Sequence, residues 1–184
     1  MESRAAVEAL EGIESSVAAL AVCVRSAAGE VAPAGADPAG GDPLRDQADA
    51  FLDGLAEAGR MEARLAALKV RLAVGYAAAA EALAAPAKSP QEHTAQEMAV
   101  TAEVACVLTV SERSAGALLC EARTLTAGLP LTLAALQAGT ISWQHARILC
   151  DETANLEPAA AAALEAHFLD PDAVNPVRGC PAGE

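Results

Sequence analysis

The chain has 184 residues, 53% of them hydrophobic but only 2% aromatic, which is enough for one domain and an appendage built around a thin, alanine-rich core. A formal net charge of −13 keeps it soluble and repels phosphate backbones and anionic membrane surfaces. That balance argues against non-specific nucleic-acid binding, which needs clustered Lys and Arg.

Alanine favours helix, and every long segment has a three-four apolar period with no alternating run. The sequence therefore predicts an all-α protein: a helical bundle with a long central helix and a cluster of short helices, including a helix-turn-helix-like pair. Leucine ridges and close helix approach would hold it, with apolar faces left over for a partner to cover.

Residues 1–28 read as an N-terminal amphipathic helix, with Val7, Leu10, Ile13, Val17, Leu20 and Val24 at helical spacing. The first residues, MESRAAVEALEGIESS, are acidic where a secretion signal would be basic. The apolar run Val17 to Val24 is too short to cross a bilayer, so a cytoplasmic chain without a membrane span is expected. Residues 29–43, GEVAPAGADPAGGDP in the main, carry Gly, Pro and Ala without periodicity and read as a flexible linker.

Residues 44–169 form the expected helical domain. Its first helix places Leu44, Ala48, Phe51, Leu55, Ala58, Met61, Leu65, Leu68, Leu72, Tyr76, Ala79 and Leu83 at steps of three and four. Gly54, Gly59 and Gly75 interrupt it, each costing about 1 kcal/mol against alanine in a helix interior. The other face carries Arg45, Asp49, Asp53, Arg60, Arg64, Lys69 and Arg71. The stripe reads either as the buried side of a single bundle, which is preferred, or as a homodimer seam along the 44–83 helix. AAPAKSPQEH, Ala84 to His93, is a loop by its prolines.

From Thr94 a helix runs to Leu108, with Met98, Ala102, Ala105 and Val107 or Leu108 as its buried side. Ser111 caps a helix that starts at Glu112, and Val110 and Ala115 can flank the cap as a hydrophobic staple. In a DNA reader the polar start of this helix would enter the major groove, with Arg113, Ser114 and Arg123 as contacts. Helix pairs joined by a tight turn also recur in helical domains that touch no DNA. From Glu97 to Glu165, only Arg113, Arg123 and Arg147 oppose eight acidic residues. Gly128 with Pro130, Gly139, Ser142 and Pro158 then punctuate three further short helices.

The segment from Leu129 to Arg147 reads LP-x-T-x-x-AL-x-x-G-x-IS-x-x-HAR, preceded by S-x-R-x-A-G-x-L-L-x-x-A-x-x-L from Ser111 to Leu125. This pattern resembles the actinobacterial domain of unknown function that commonly precedes an HNH endonuclease domain, the thirteen-E-twelve repeat family. The resemblance covers Leu44 to Leu169. A weaker similarity is to the helical segment of ParB-type chromosome-partitioning proteins, which has a similar G-x-IS-x-x-HAR run. The first resemblance implies an N-terminal helical module that works beside an HNH nuclease, as a partner chain or a domain encoded downstream, and that binds or positions either nucleic acid or a partner chain; the second similarity is what points to DNA. Residues 170–184, DPDAVNPVRGCPAGE, read as a loop or truncated linker and carry no HNH motif, so the family's nuclease residues have no positions here.

No catalytic signature stands out. Ser142, His145 and Asp151 do not make a triad, because nothing supplies an oxyanion hole or nucleophile elbow. His145 follows the Ser142 cap by three and reads as a capping or packed histidine, or as a side chain facing a partner's phosphate. Trp143 reads as a packing anchor. Should the module touch DNA, Gln144, His145 and Arg147 would join Arg113, Ser114 and Arg123, since helix N-termini present N–H groups to phosphate. Five cysteines, Cys23, Cys106, Cys120, Cys150 and Cys180, form no C-x-x-C pair, and three of them fall at apolar positions inside helical patterns. Buried free thiols in a reducing compartment are expected, with no metal and no cofactor, since His93, His145 and His167 lack ligand spacing to them.

Overall fold

The computed structural model describes residues 11–15, 17, 18, 21, 22, 24 and 43–169. Among them there is helix and no strand, as the sequence predicts. The chain divides into two compact units inside its longest helix, at the Phe51–Leu52 step. In the first unit the described residues between 11 and 24 are helical, and Ile13, Val17, Val22 and Val24 are exposed. Most of the linker, and all of 170–184, lie outside the described residues.

The second unit is built from α1 (Pro43–Leu83), α2 (Pro90–Leu108), α3 (Glu112–Ala127), α4 (Pro130–Ala138), α5 (Trp143–Thr153) and α6 (Pro158–Leu169), of which only α1 begins before it. Local chemistry sets nearly every boundary. Ser111 Oγ accepts from Ser114 N at 3.1 Å and starts α3. Gly128 caps its end, and Pro130 opens α4. Gly139 ends α4 at φ 80°, the left-handed region open to glycine. Ser142 starts α5 and Pro158 opens α6.

One boundary differs from expectation. The helix expected from Thr94 begins at Pro90, because Ser89 caps it by accepting from Glu92 N at 3.2 Å and Pro90 occupies its first turn. A proline taken as a helix breaker is here a helix opener.

The core is thin. Ala63, Ala67, Val70 and Ala73 of α1, Val104 and Ala105 of α2, Ala115, Leu119, Ala122 and Leu125 of α3, and Leu129, Leu133, Leu136, Ala146 and Cys150 further on are all buried. Trp143 packs partly buried against them, an anchor as expected.

The largest correction concerns α1. It does pack into a bundle, but not through its leucine stripe. Leu55, Leu65, Leu68, Leu72 and Leu83 are exposed. The buried face is Ala63, Ala67, Val70 and Ala73, which lies on the opposite side of a helix that turns about 100° per residue. Small side chains let the axis of α1 approach the short helices closely. At Gly139 the approach is so close that an added Cβ would stand 3.1 Å from the Arg60 carbonyl oxygen. On α2 the expected buried side holds at Ala105 and at Leu108, which packs partly buried against the core, but not throughout. Met98 and Val107 are exposed, and Val104 and Ala105 are buried. The thiols are corrected too: Cys150 is buried, but Cys106 and Cys120 are exposed.

Candidate functional site

The six sequence-derived contact residues lie on α3 and α5, which pack against each other. The two helices start alike, with an extended serine followed by a polar first turn. At α5 the cap is reciprocal. Ser142 Oγ accepts from His145 N at 3.3 Å, and the His145 Nδ1 lies 2.9 Å from Ser142 Oγ and 3.4 Å from Ser142 N. His145 thus closes a capping box and holds its ring against the backbone of its own helix start. Ser114 is similarly engaged, with its hydroxyl 2.9 Å from that of Ser111.

The arginines separate. Arg147 donates through Nε to Glu121 Oε1 at 2.7 Å, bridging α5 to α3. Its guanidinium pKa is raised by that hydrogen bond and by the charge of Glu121. Arg123 is two residues from Glu121, so it projects from another side of α3. There it borders a cleft of about 230 Å³ shared with Glu81, Glu97 and Glu103. Arg113 and Gln144 are exposed. The structure therefore does not gather the candidate cations into one basic patch. Pairing across helices 26 residues apart in sequence left no local signal that would have foretold it.

A second surface is larger and apolar. Leu65, Leu68, Leu72 and Tyr76 stand in a row along α1, between 39% and 59% exposed. Leu72 and Tyr76 continue into a groove of about 710 Å³ between α1 and α2, lined also by Ala102, Val107, Leu108 and Leu118. At its rim Tyr76 and Glu103 are hydrogen-bonded across the two helices. The stripe was visible in the sequence, but its burial was assigned to the wrong side.

Among the described residues, no three His, Cys, Asp or Glu gather as a metal site, and no helix is long and apolar enough to cross a membrane. Comparison with known protein families, with characterised proteins and with solved structures gives no match for the chain.

Proposed function

We propose that the chain is a non-catalytic binding and positioning module, working in the cytoplasm, whose contact surface is the leucine face of α1 with the adjoining α1–α2 groove. The observation that carries this reading is the row Leu65, Leu68, Leu72 and Tyr76, exposed on the side of α1 away from the core. Contiguous apolar surface of this kind is costly to hydrate, and in soluble proteins it marks interaction sites. A partner helix would lay its own apolar side along the row, the helix-in-groove mode of recognition. The HNH nuclease part implied by the sequence resemblance is a partner of the right class.

The nucleic-acid alternative in that resemblance is the weaker reading. Arg147 is held by Glu121, and Arg123 shares its cleft with three glutamates. Arg113, Ser114, Gln144 and His145 would have to bind phosphate largely by themselves.

Site-specific photo-crosslinking in the protein's own cells tests the assignment. A photoreactive residue at Leu68 or Leu72 should join to a polypeptide that mass spectrometry identifies, and one at Arg113 or Gln144 should not. Absence of any polypeptide adduct from Leu68 and Leu72 overturns the reading. Nucleic-acid adducts from Arg113 or Gln144 would put the DNA reading in its place.

A further inference from the structure

We infer that the segment received by the leucine face of α1 is an acidic amphipathic helix of another protein, with an apolar side rimmed on both edges by Asp or Glu. The inference rests on the binding-module reading and names the chemistry of the partner.

This stretch of α1 is charged against the rest of the chain. Between Glu62 and Glu81 the helix carries Arg64, Lys69 and Arg71 and no acid, in a protein of net charge −13. All three lie inside the second compact unit, beside the row Leu65, Leu68, Leu72 and Tyr76.

The cations bracket that row. Lys69 lines the groove on its α2 side. Arg64 stands on the other side, where its guanidinium reaches the Ala138 carbonyl at 3.4 Å. Arg71 is seven residues further on, and a helix that turns about 100° per residue brings it back to within about 20° of Arg64.

The fold does not use these charges for itself. Among the described residues Lys69 and Arg71 make no ion pair or hydrogen bond, and Arg64 makes only the long one to Ala138. Acids at the borders of the row are engaged elsewhere. Glu103, the acid that lines the groove, is bonded to Tyr76, and Glu57 ahead of the row is paired with Arg60.

Shape and charge together select the occupant. From Leu65 to Tyr76 the row rises about 17 Å, or about three turns of helix. A facing helix would set its apolar anchors along it, three and four residues apart. Its polar edges would then pass over Lys69 on one side and over Arg64 and Arg71 on the other. Carboxylates at those edges are attracted and ammonium groups repelled, and rim charges of this kind decide which partner is accepted. The negative charge elsewhere on the chain weighs little across so small a contact, because salt screens charges beyond about 8 Å. An anionic membrane also favours apolar residues among cations. It is flat where the groove is concave, and it extends past the rim to meet the acidic remainder of the chain.

Fluorescence anisotropy on the full chain tests the proposal with two labelled peptides. Both are amphipathic helices with the same leucine anchors, one rimmed by glutamate and the other by lysine. The glutamate peptide should bind at least tenfold more tightly at physiological salt. Net charge alone would give the opposite order. Lys69→Glu combined with Arg71→Glu should reverse the preference and leave helix content intact, since both side chains are exposed. Leu72→Asp should weaken both peptides. Vesicles of phosphatidylserine and phosphatidylcholine should not bind. Equal affinities, a preference for the lysine peptide, an order unchanged in the double variant, binding of neither peptide, or binding of the vesicles overturns the proposal. The binding-module reading survives those failures if Leu68 or Leu72 photo-crosslinks in cells to an identified polypeptide whose contact segment is not an acidic helix.

Discussion

Gly139 sits directly on the backbone of Arg60: a Cβ there would lie 3.1 Å from the Arg60 carbonyl oxygen, 3.2 Å from its Cβ and 3.3 Å from its Cα. The residue also holds a left-handed conformation, φ 80°. Backbone freedom and lack of volume are thus needed at the same position, where the end of α4 meets α1.

Gly139→Ala is therefore expected to destabilise by about 1–3 kcal/mol, combining the left-handed penalty with a displaced contact. Gly59→Ala is the control. It lies inside α1 with nothing within 4 Å of a new Cβ. That change should stabilise by about 0.5–1 kcal/mol. Urea unfolding of both variants checks the pair, and a neutral Gly139→Ala would show that α4 can draw back from α1.

Glu165 of α6 is 2% exposed and accepts from Thr132 N at 2.6 Å. It serves as the cap that α4 lacks, since Leu129 at the cap position offers no side-chain acceptor. Thr132 Oγ1 beside it has no hydrogen-bond partner among the described residues. Glu165→Ala should cost about 2–4 kcal/mol, by losing the bond and leaving a buried N–H unpaired. Glu165→Gln keeps an acceptor and should cost about 1 kcal/mol. Equal losses in thermal or urea unfolding would mean that volume, not hydrogen bonding, holds α6 to α4.

The Cys150 thiol is pushed from its ordinary 9.0 up to about 12, by burial first and by the charges of Glu121 and Asp151 next. The unfolded chain gives up this proton near pH 9 and the folded chain keeps it. Stability should therefore fall as pH rises through that window, since the unfolded state then binds fewer protons. Alkylation at pH 8 followed by peptide mapping should modify the exposed Cys106 and Cys120 and spare Cys150 until denaturant is added. Rapid modification of all three under native conditions would contradict the burial.

For nucleic acid, any binding should be weak and should fall off only shallowly with salt, because few cations are free to release counterions and the slope scales with their number. A low-salt gel shift with an Arg113→Glu and Arg147→Glu double variant beside the wild type reads this out. Equal retardation of both would exclude the α3 and α5 starts as the contact surface. Arg147→Glu also sets two carboxylates against each other at Glu121, so the fold of the variant needs checking by circular dichroism.

Most helix boundaries set locally by one residue were legible, the exception being Ser89 with Pro90, where a proline that signals a loop opens a helix. Ser111, Gly128, Pro130, Gly139, Ser142 and Pro158 each act within a turn of their own position. The role of His145 was legible for the same reason. The inward face of α1 was not. Met61, Leu65, Leu68 and Leu72 share a helical period with Ala63, Ala67, Val70 and Ala73, and periodicity alone cannot say which face turns inward. Side-chain size favoured the leucines, but the bundle needed the close approach that alanine allows. The fate of Arg147 was equally hidden, because Glu121 reaches it only once α3 and α5 have packed.

The bond from Thr132 to Glu165 spans 33 residues of sequence, and that separation becomes a delay during synthesis. When α4 leaves the ribosome its first turn has no acceptor for the Thr132 N–H. At about 5–20 residues per second, roughly 2–7 s pass before the glutamate that completes it is added. Until then α4 must rely on water at one end and on Gly139 at the other, and α6 closes the bundle only after its own residues emerge.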